Sequence, residues 1–304
     1  MNTQNIRKID AAATFACIGA LLCWSVGPVF IKLLTGCLDL WTQNLLRYLV
    51  ACLFWLPFLA LAFKTGRLDN RVWRKALLPL APNLVMQSLW AGAFYYIEPA
   101  FMNLLTQSSI IWIAGFSLIF FADERVLVKS KRFWLGMALS IIGVVGVMVC
   151  KENFAAAKTM TGIGIALAAA VMWGIYAVCA RIAFRDIDSR IGFSVISIYT
   201  TSGLFVLAVL FGRIQDCLYI PTQSWVYIVV SGVLAIAFSH VLYYAAIRRI
   251  GATIPSLVLL STPFTVLAIS RLVFGESLNS FQWLFGMILI SGSALAIWAQ
   301  QHLK

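Results

Sequence analysis

The sequence predicts an all-α polytopic membrane protein, with ten transmembrane helices in two inverted repeats of five. Three observations predict it. Hydrophobic residues make up 62% of the 304 positions and charged residues 11%, where a soluble domain carries roughly 25% charged residues. The apolar positions gather into ten runs, each close to the roughly 20 helical residues that cross a bilayer core. The chain also matches itself at a displacement of 152 residues: Trp73 falls on Trp225, Ala93 on Ala245, Ala100 on Ala252, Leu105 on Leu257, Ser109 on Ser261 and Glu124 on Glu276, without a gap. The order of these landmarks, more than their number, points to a duplication.

The runs cover 13–34, 40–63, 75–96, 100–121, 134–150, 162–183, 191–212, 225–247, 251–274 and 283–300. The first follows Arg7 and Lys8 as a signal peptide would. Its apolar stretch from Thr14 to Leu34 is longer than an h-region and lacks a small-residue cleavage site, so it reads as a retained helix. The fourth and ninth close on Ala122-Asp123-Glu124 and Gly275-Glu276, and the ninth reads as one helix with Pro263 near its middle. Spaced glycines mark the fifth (Gly136, Gly143, Gly146) and the tenth (Gly286, Gly292), a pattern of helices whose backbones approach closely. The segment 151–161 joins the halves, giving repeats of 13–150 and 162–300.

Charge sets the orientation. Of the 23 Lys and Arg residues, 17 fall in one alternating set of termini and loops; the opposite set holds Lys151, Lys158 and Arg213, and Lys32, Arg47 and Arg271 lie inside apolar runs. The positive-inside rule makes the larger set cytoplasmic and places both termini there. Five helices per repeat is odd, so the second half enters the membrane from the opposite side. The net charge of +12 is spread over short loops and is no nucleic-acid footprint. Seven scattered cysteines have no metal-ligand spacing. Cys37 and Cys217 both fall on the outer side, which leaves a disulfide between them open.

Trp24 and Trp173 occupy equivalent points of two earlier runs, each followed eight residues later by a cation, Lys32 or Arg181. With the aromatic-small pair in the first helix of each repeat, and the Pro, small residue and Glu of the fourth, the chain resembles the drug/metabolite transporter superfamily, specifically two tandem EamA-type repeats. The resemblance covers nearly the whole chain. It departs at Ile111, where the second repeat has Pro263. It implies that helices one to four and six to nine surround a central pathway while five and ten are peripheral. It also implies alternating access, with export the expected direction from a bacterial inner membrane.

Polar side chains inside apolar runs must find partners, water or a solute. Asn83, Gln87, Trp90 and Phe94 share one face of the third helix; Asn103 and Gln107 share a face of the fourth; Trp173 and Tyr176 lie on the sixth; His240, Tyr243 and Tyr244 lie on the eighth. Amides beside aromatic faces suit an organic solute better than a bare ion. Arg47 lies about eight residues into the second helix, roughly 12 Å, with a helix-end carbonyl or Glu98 as its structural alternative partner. A planar guanidinium holds a carboxylate through two parallel hydrogen bonds. The substrate-binding set is therefore Trp24, Arg47, Asn83, Gln87, Trp90, Asn103, Gln107, Trp173, Tyr176, His240 and Tyr244, for amino acids or related carboxylates. Cationic or apolar drug-like compounds are the alternative cargo. No nucleophile with a base, paired carboxylates or metal cluster points to an enzyme, and no charge ring or carbonyl filter points to a channel. The expected partners are a small-molecule substrate and the lipid bilayer, with no nucleic acid, no metal and no cofactor, and a homodimer is left open.

Overall fold

The structure, a computed structural model, describes residues 11–184, 187–250 and 258–302, and no strand occurs among them. In chain order the helices are α1 (Ala11–Leu34), α2 (Leu40–Lys64), α3 (Arg71–Ala93), α4 (Pro99–Thr106), α5 (Ser109–Phe120), α6 (Lys131–Val149), α7 (Ala157–Phe184), α8 (Ser189–Phe211), α9 (Thr222–Ser231), α10 (Ser239–Ile250), α11 (Thr262–Phe274) and α12 (Ser280–His302). A π-helical turn, Gly232–Phe238, joins α9 to α10. Eight helical stretches are long and apolar enough to cross a membrane, counting α4 with α5 as one and α9 with the start of α10 as another. α3 is long enough but is made less apolar by Pro79, Pro82, Asn83 and Gln87, and α11 is a shorter apolar helix.

The fourth run is not one continuous helix. Around Gln107 and Ser108 the backbone tightens: Gln107 N donates to Leu104 O, Ser108 N to Leu105 O, Ile110 N to Gln107 O and Ile111 N to Ser108 O, the i→i−3 spacing that ends one helix and starts another. The described part of the ninth run breaks at the equivalent place. Ser261 N donates to Val258 O, and α11 starts at Thr262 with Pro263 beside its N-terminus. Pro263 thus stands where its missing N–H costs nothing, instead of in a helix interior. In both halves a threonine hydroxyl takes up a backbone carbonyl at the break, Thr106 to Asn103 O (2.9 Å) and Thr262 to Leu259 O (2.5 Å).

Helix packing follows from small residues. A methyl group on Gly143 would lie 2.5 Å from Leu289 N, and one on Gly136 2.6 Å from Ala296 N, so α6 and α12 touch backbone to backbone. Their contacts run Gly136 with Ala296, Gly143 with Leu289 and Gly146 with Phe285; one number rises as the other falls, and the pair is antiparallel. α2 and α8 are antiparallel too, with Tyr48 O accepting from Thr201 Oγ1 and Trp55 facing Phe193. Besides α4 on its counterpart α11, the other main contacts between halves come in matched pairs. α1 packs on α10 as α7 packs on α3; α1 packs on α11 as α7 packs on α4 and α5; α2 packs on the π turn as α8 packs on α3.

One end of the bundle is cross-bonded between loops. Asp39 caps α2 through the N–H groups of Trp41 and Thr42 and also accepts from Arg213 N at 2.8 Å. Burial pushes its carboxyl up, but the Thr42 hydroxyl and the N–H groups of Arg213, Thr42 and Trp41 outweigh that and hold it below its ordinary value. Tyr95 OH donates to Leu38 O at 2.6 Å, and Asn279 Nδ2 to Cys150 O at 2.6 Å. Cys37 and Cys217 pack against one apolar cluster at this end as free thiols. Glu276, buried, accepts from the N–H groups of Ala100 and Phe101 at 3.0 Å each and from the Ser270 hydroxyl. A carboxylate from the second half thereby caps the N-terminus of α4 in the first. Its counterpart by displacement, Glu124, lies outside the described side chains.

Candidate functional site

A cavity of about 690 Å³ lies between the halves, lined by Trp24, Arg47, Gln87, Trp90, Asn103, Gln107, Trp173, Tyr176 and His240, among others. Nine of the eleven residues singled out by sequence thus face one space. Asn83 does not: it is buried and donates from Nδ2 to Thr200 Oγ1 at 2.8 Å, tying α3 to α8. The Tyr244 side chain lies outside the described residues; its neighbour Tyr243 lines the cavity.

The walls carry two aromatic groups of matching descent. Trp24 of α1 meets His240 edge-on at 5.4 Å and Tyr243 at 5.2 Å. Trp173, its counterpart on α7, meets Trp90 at 6.5 Å and Tyr176 at 6.2 Å. His240 owes its pose to the π turn: its Nδ1 donates to Ile236 O at 2.7 Å, and its ring stacks on Phe193 at 4.6 Å. Ser239 Oγ takes Ala235 O at 2.8 Å, and Trp55 Nε1 takes Ala237 O at 3.3 Å.

Arg47 is 4% exposed and lines the cavity. Its Nε donates to Ser231 Oγ at 3.0 Å, and the other guanidinium nitrogens have no acceptor among the described residues. The contact depends on Gly232, where an added methyl would stand 2.7 Å from the Arg47 carbonyl oxygen. Glu98 is not its partner. That carboxylate pairs with Lys151 at 3.2 Å at the cross-bonded end. Asn103 is likewise buried with its Nδ2 unpaired, so a second donor on the cavity wall lacks an acceptor. Among the described lining residues two are arginines, Arg47 and Arg181, and none is Asp or Glu.

The cavity is off-centre. Toward the cross-bonded end it stops beneath a layer that includes Phe94, Ile97, Phe101 and Leu105, each no more than 1% exposed. Toward the other end it reaches Phe133, Arg181, Phe184 and Ile297, near the start of α6 and the ends of α7 and α12. Helices α6 and α12 are therefore peripheral for most of their length but close one side of the mouth. Arg181, whose position reads from sequence as a loop-end charge, was missed as a lining residue; the signal for it was its place eight residues after Trp173, matching Lys32 after Trp24.

Comparison with known proteins agrees with this architecture. The profile of the EamA-like transporter family matches twice, over residues 11–149 and 160–298. The chain belongs to that family. An uncharacterized transporter of Haemophilus influenzae is 25% identical over 200 residues, a match that spans 64% of this chain and 64% of the relative's length. An uncharacterized transporter of Clostridium kluyveri is 21% identical over 253 residues, covering 80% of this chain and 79% of the relative. A protein of known crystal structure shares the fold of this EamA-like chain with a TM-score of 0.66 at 16% identity, over 93% of this chain and 96% of the other.

Proposed function

We propose that this protein is a secondary carrier that exports amino acids or related carboxylate-bearing metabolites by alternating access. Ten spans in two five-helix repeats, 13–150 and 162–300, lie about a pseudo-twofold axis in the membrane plane, with both termini cytoplasmic in a bacterial inner membrane. The antiparallel pairing of α6 with α12 and of α2 with α8, each joining equivalent helices, supports the inversion. The matched contacts between halves support the symmetry. In this reading the cross-bonded end is external and sealed, and the cavity faces the cytoplasm.

The observation that carries the substrate class is Arg47: a buried guanidinium on the cavity wall, bonded to Ser231 through Nε, with no carboxylate among the described lining residues. A buried cation without a counter-charge is costly unless a ligand or water reaches it. A substrate carboxylate supplies that charge and takes the free edge of the fork, while Trp24, Trp90, Trp173 and Tyr176 hold the apolar remainder. In proteoliposomes, Arg47→Lys should weaken competition by carboxylate solutes about tenfold, the order of one charge-assisted hydrogen bond, and Arg47→Gln should nearly abolish it. Unchanged carboxylate affinity in Arg47→Gln, or wild-type flux restricted to cations, would return Arg47 to a structural role.

A further inference from the structure

We propose that Gln43 and Asn44 of α2 form an acceptor step for an ammonium group, one turn from Arg47 toward the cross-bonded end, so that the carrier selects α-amino acids over carboxylates that lack the amine. The proposal rests on the carboxylate reading of Arg47 above and narrows it. Arg47 holds one charge of a zwitterion, and two amide oxygens take up the other on the way to an outer vestibule.

Gln43 and Asn44 are wholly buried, and their side-chain oxygens, Gln43 Oε1 and Asn44 Oδ1, have no hydrogen-bond partner among the described residues. Turning either amide round does not cure this. Asn44 Nδ2 donates to Gln87 O at 3.0 Å, and a carbonyl can accept only from the nitrogen of the amide. Gln43 Nε2 donates to Tyr95 OH at 2.7 Å, and the proton of that hydroxyl is already engaged by Leu38 O at 2.6 Å. A buried acceptor left unmade is costly, and here two stand side by side. Both lie on the face of α2 that carries Arg47, three and four residues before it, the spacing that makes helix side chains neighbours.

The two oxygens stand between two spaces. On the inner side Arg47 and Gln87 line the central cavity. On the outer side a second cavity, of about 610 Å³, is lined by Leu38, Asp39, Trp41, Ser88, Tyr95 and Arg213, among others. α3 divides them, with Gln87 facing in and Ser88 and Tyr95 facing out. In the conformation described, the Tyr95 hydroxyl bolts the passage. Lys32 holds the same end of α3, its Nζ donating to Phe94 O at 2.8 Å and Ile97 O at 3.1 Å just past the helix C-terminus. When the outer end opens, Tyr95 lets go of Gln43 and Leu38, and the two oxygens meet the ammonium of a substrate whose carboxylate is leaving Arg47. An ammonium carries three donors and no acceptor, which suits two open oxygens. The described wall of the inner cavity has no carboxylate, so the first one on this route is Asp39 in the outer wall.

Calorimetric binding to the full chain in lipid nanodiscs tests this with matched probes: L-leucine against 4-methylpentanoate, the same acid without its amine, and L-phenylalanine against 3-phenylpropanoate. A ligand that fills the acceptors draws the protein toward the state that exposes them, so equilibrium affinity reports the step. Wild type should bind the amino acid of each pair about tenfold more tightly, as expected for one hydrogen bond to a charged group. Gln43→Met and Asn44→Leu, each close in size to the residue replaced, should erase most of that preference and leave the deaminated acid near its wild-type affinity. Affinity is read per folded molecule, so a lower yield of either variant does not imitate the result. Asn44→Asp keeps the acceptor but loses the donor to Gln87 O, and should keep the preference. No preference in wild type, or the wild-type ratio in both apolar variants, would overturn the proposal and leave the two oxygens to buried water. Arg47→Gln separates this failure from that of the carboxylate reading. Weaker binding of both members of a pair upholds the Arg47 contact whatever Gln43 and Asn44 do, whereas unchanged binding of both, or no binding of any probe by wild type, removes the contact and the acceptor step with it.

Discussion

Whether a buried polar residue serves the fold or the pathway depends on where its hydrogen bonds go, and Asn83 and Gln87 divide on that point. They lie one turn apart on α3, and their sequence context is alike. Asn83 spends its amide on Thr200 across the α3–α8 contact, whereas Gln87 lends only its backbone carbonyl, to Asn44 Nδ2 at 3.0 Å, and turns its side chain to the cavity. Asn83→Leu should therefore lower thermal stability by about 1–3 kcal/mol, the cost of stranding a buried partner, with transport per folded molecule close to normal. Gln87→Leu should leave the melting temperature nearly unchanged and reduce transport per folded molecule severalfold. Fluorescence-monitored melting alongside flux measured per folded protein checks both; the opposite split would exchange the two roles. The sequence cannot separate these residues, since one helical face carries both and the partner of Asn83 lies more than a hundred positions away. Lys32 and Arg47 behave likewise: apolar surroundings mark them as unusual, but only the fold shows that one meets helix-end carbonyls and the other a serine and open space.

At the level of elements, eight of the ten runs were legible as spans and the interruptions were not. Runs of about 20 apolar residues are a direct consequence of bilayer thickness, and the glycines of α6 and α12 signal close packing because no other residue leaves room for it. That signal carries a prediction. A methyl at Gly143 would collide with Leu289 backbone at 2.5 Å, where neither helix can yield as a flexible side chain would. Gly143→Ala should destabilise the protein by about 1–3 kcal/mol, as overpacking does, while leaving substrate affinity unchanged because Gly143 is off the cavity wall. A melting temperature equal to wild type would mean that α6 and α12 pack more loosely than described. The breaks in the fourth and ninth runs left a weaker trace. Pro263 marks one, yet Ile111 stands at the equivalent place, so the first break is held by backbone geometry and the Thr106 hydroxyl, which no composition reveals. The π turn is equally silent in sequence. Gly232 permits its approach to α2, but glycines in apolar runs also serve plain helix–helix packing, as those of α6 and α12 do.

At the scale of the whole molecule, the duplication read from six identities becomes a physical statement once the helices are placed. Equivalent helices that pack against one another, α6 on α12 and α2 on α8, do so antiparallel, and this is the relation expected of two copies of one unit inserted with opposite orientation. Such a carrier needs its two ends to differ at any moment, and they do: loops from both halves bond across one end, while the cavity reaches the other. The proposed orientation rests on charge. By sequence, 17 of the 23 basic residues belong to the alternating set of loops and termini that includes Arg181, which lines the cavity at its mouth, and translocation of that many Lys and Arg is disfavoured. Cysteines introduced one at a time at Asn153 and Gln215 should therefore react with an impermeant maleimide added to intact cells, because both lie in loops at the cross-bonded end. Probes at Asn70 and Lys129 should react only after the membrane is opened. Reaction at Asn70 in sealed cells would invert the orientation and turn the cavity toward the outside; the inverted relation of the halves, which rests on packing and not on charge, would survive that result.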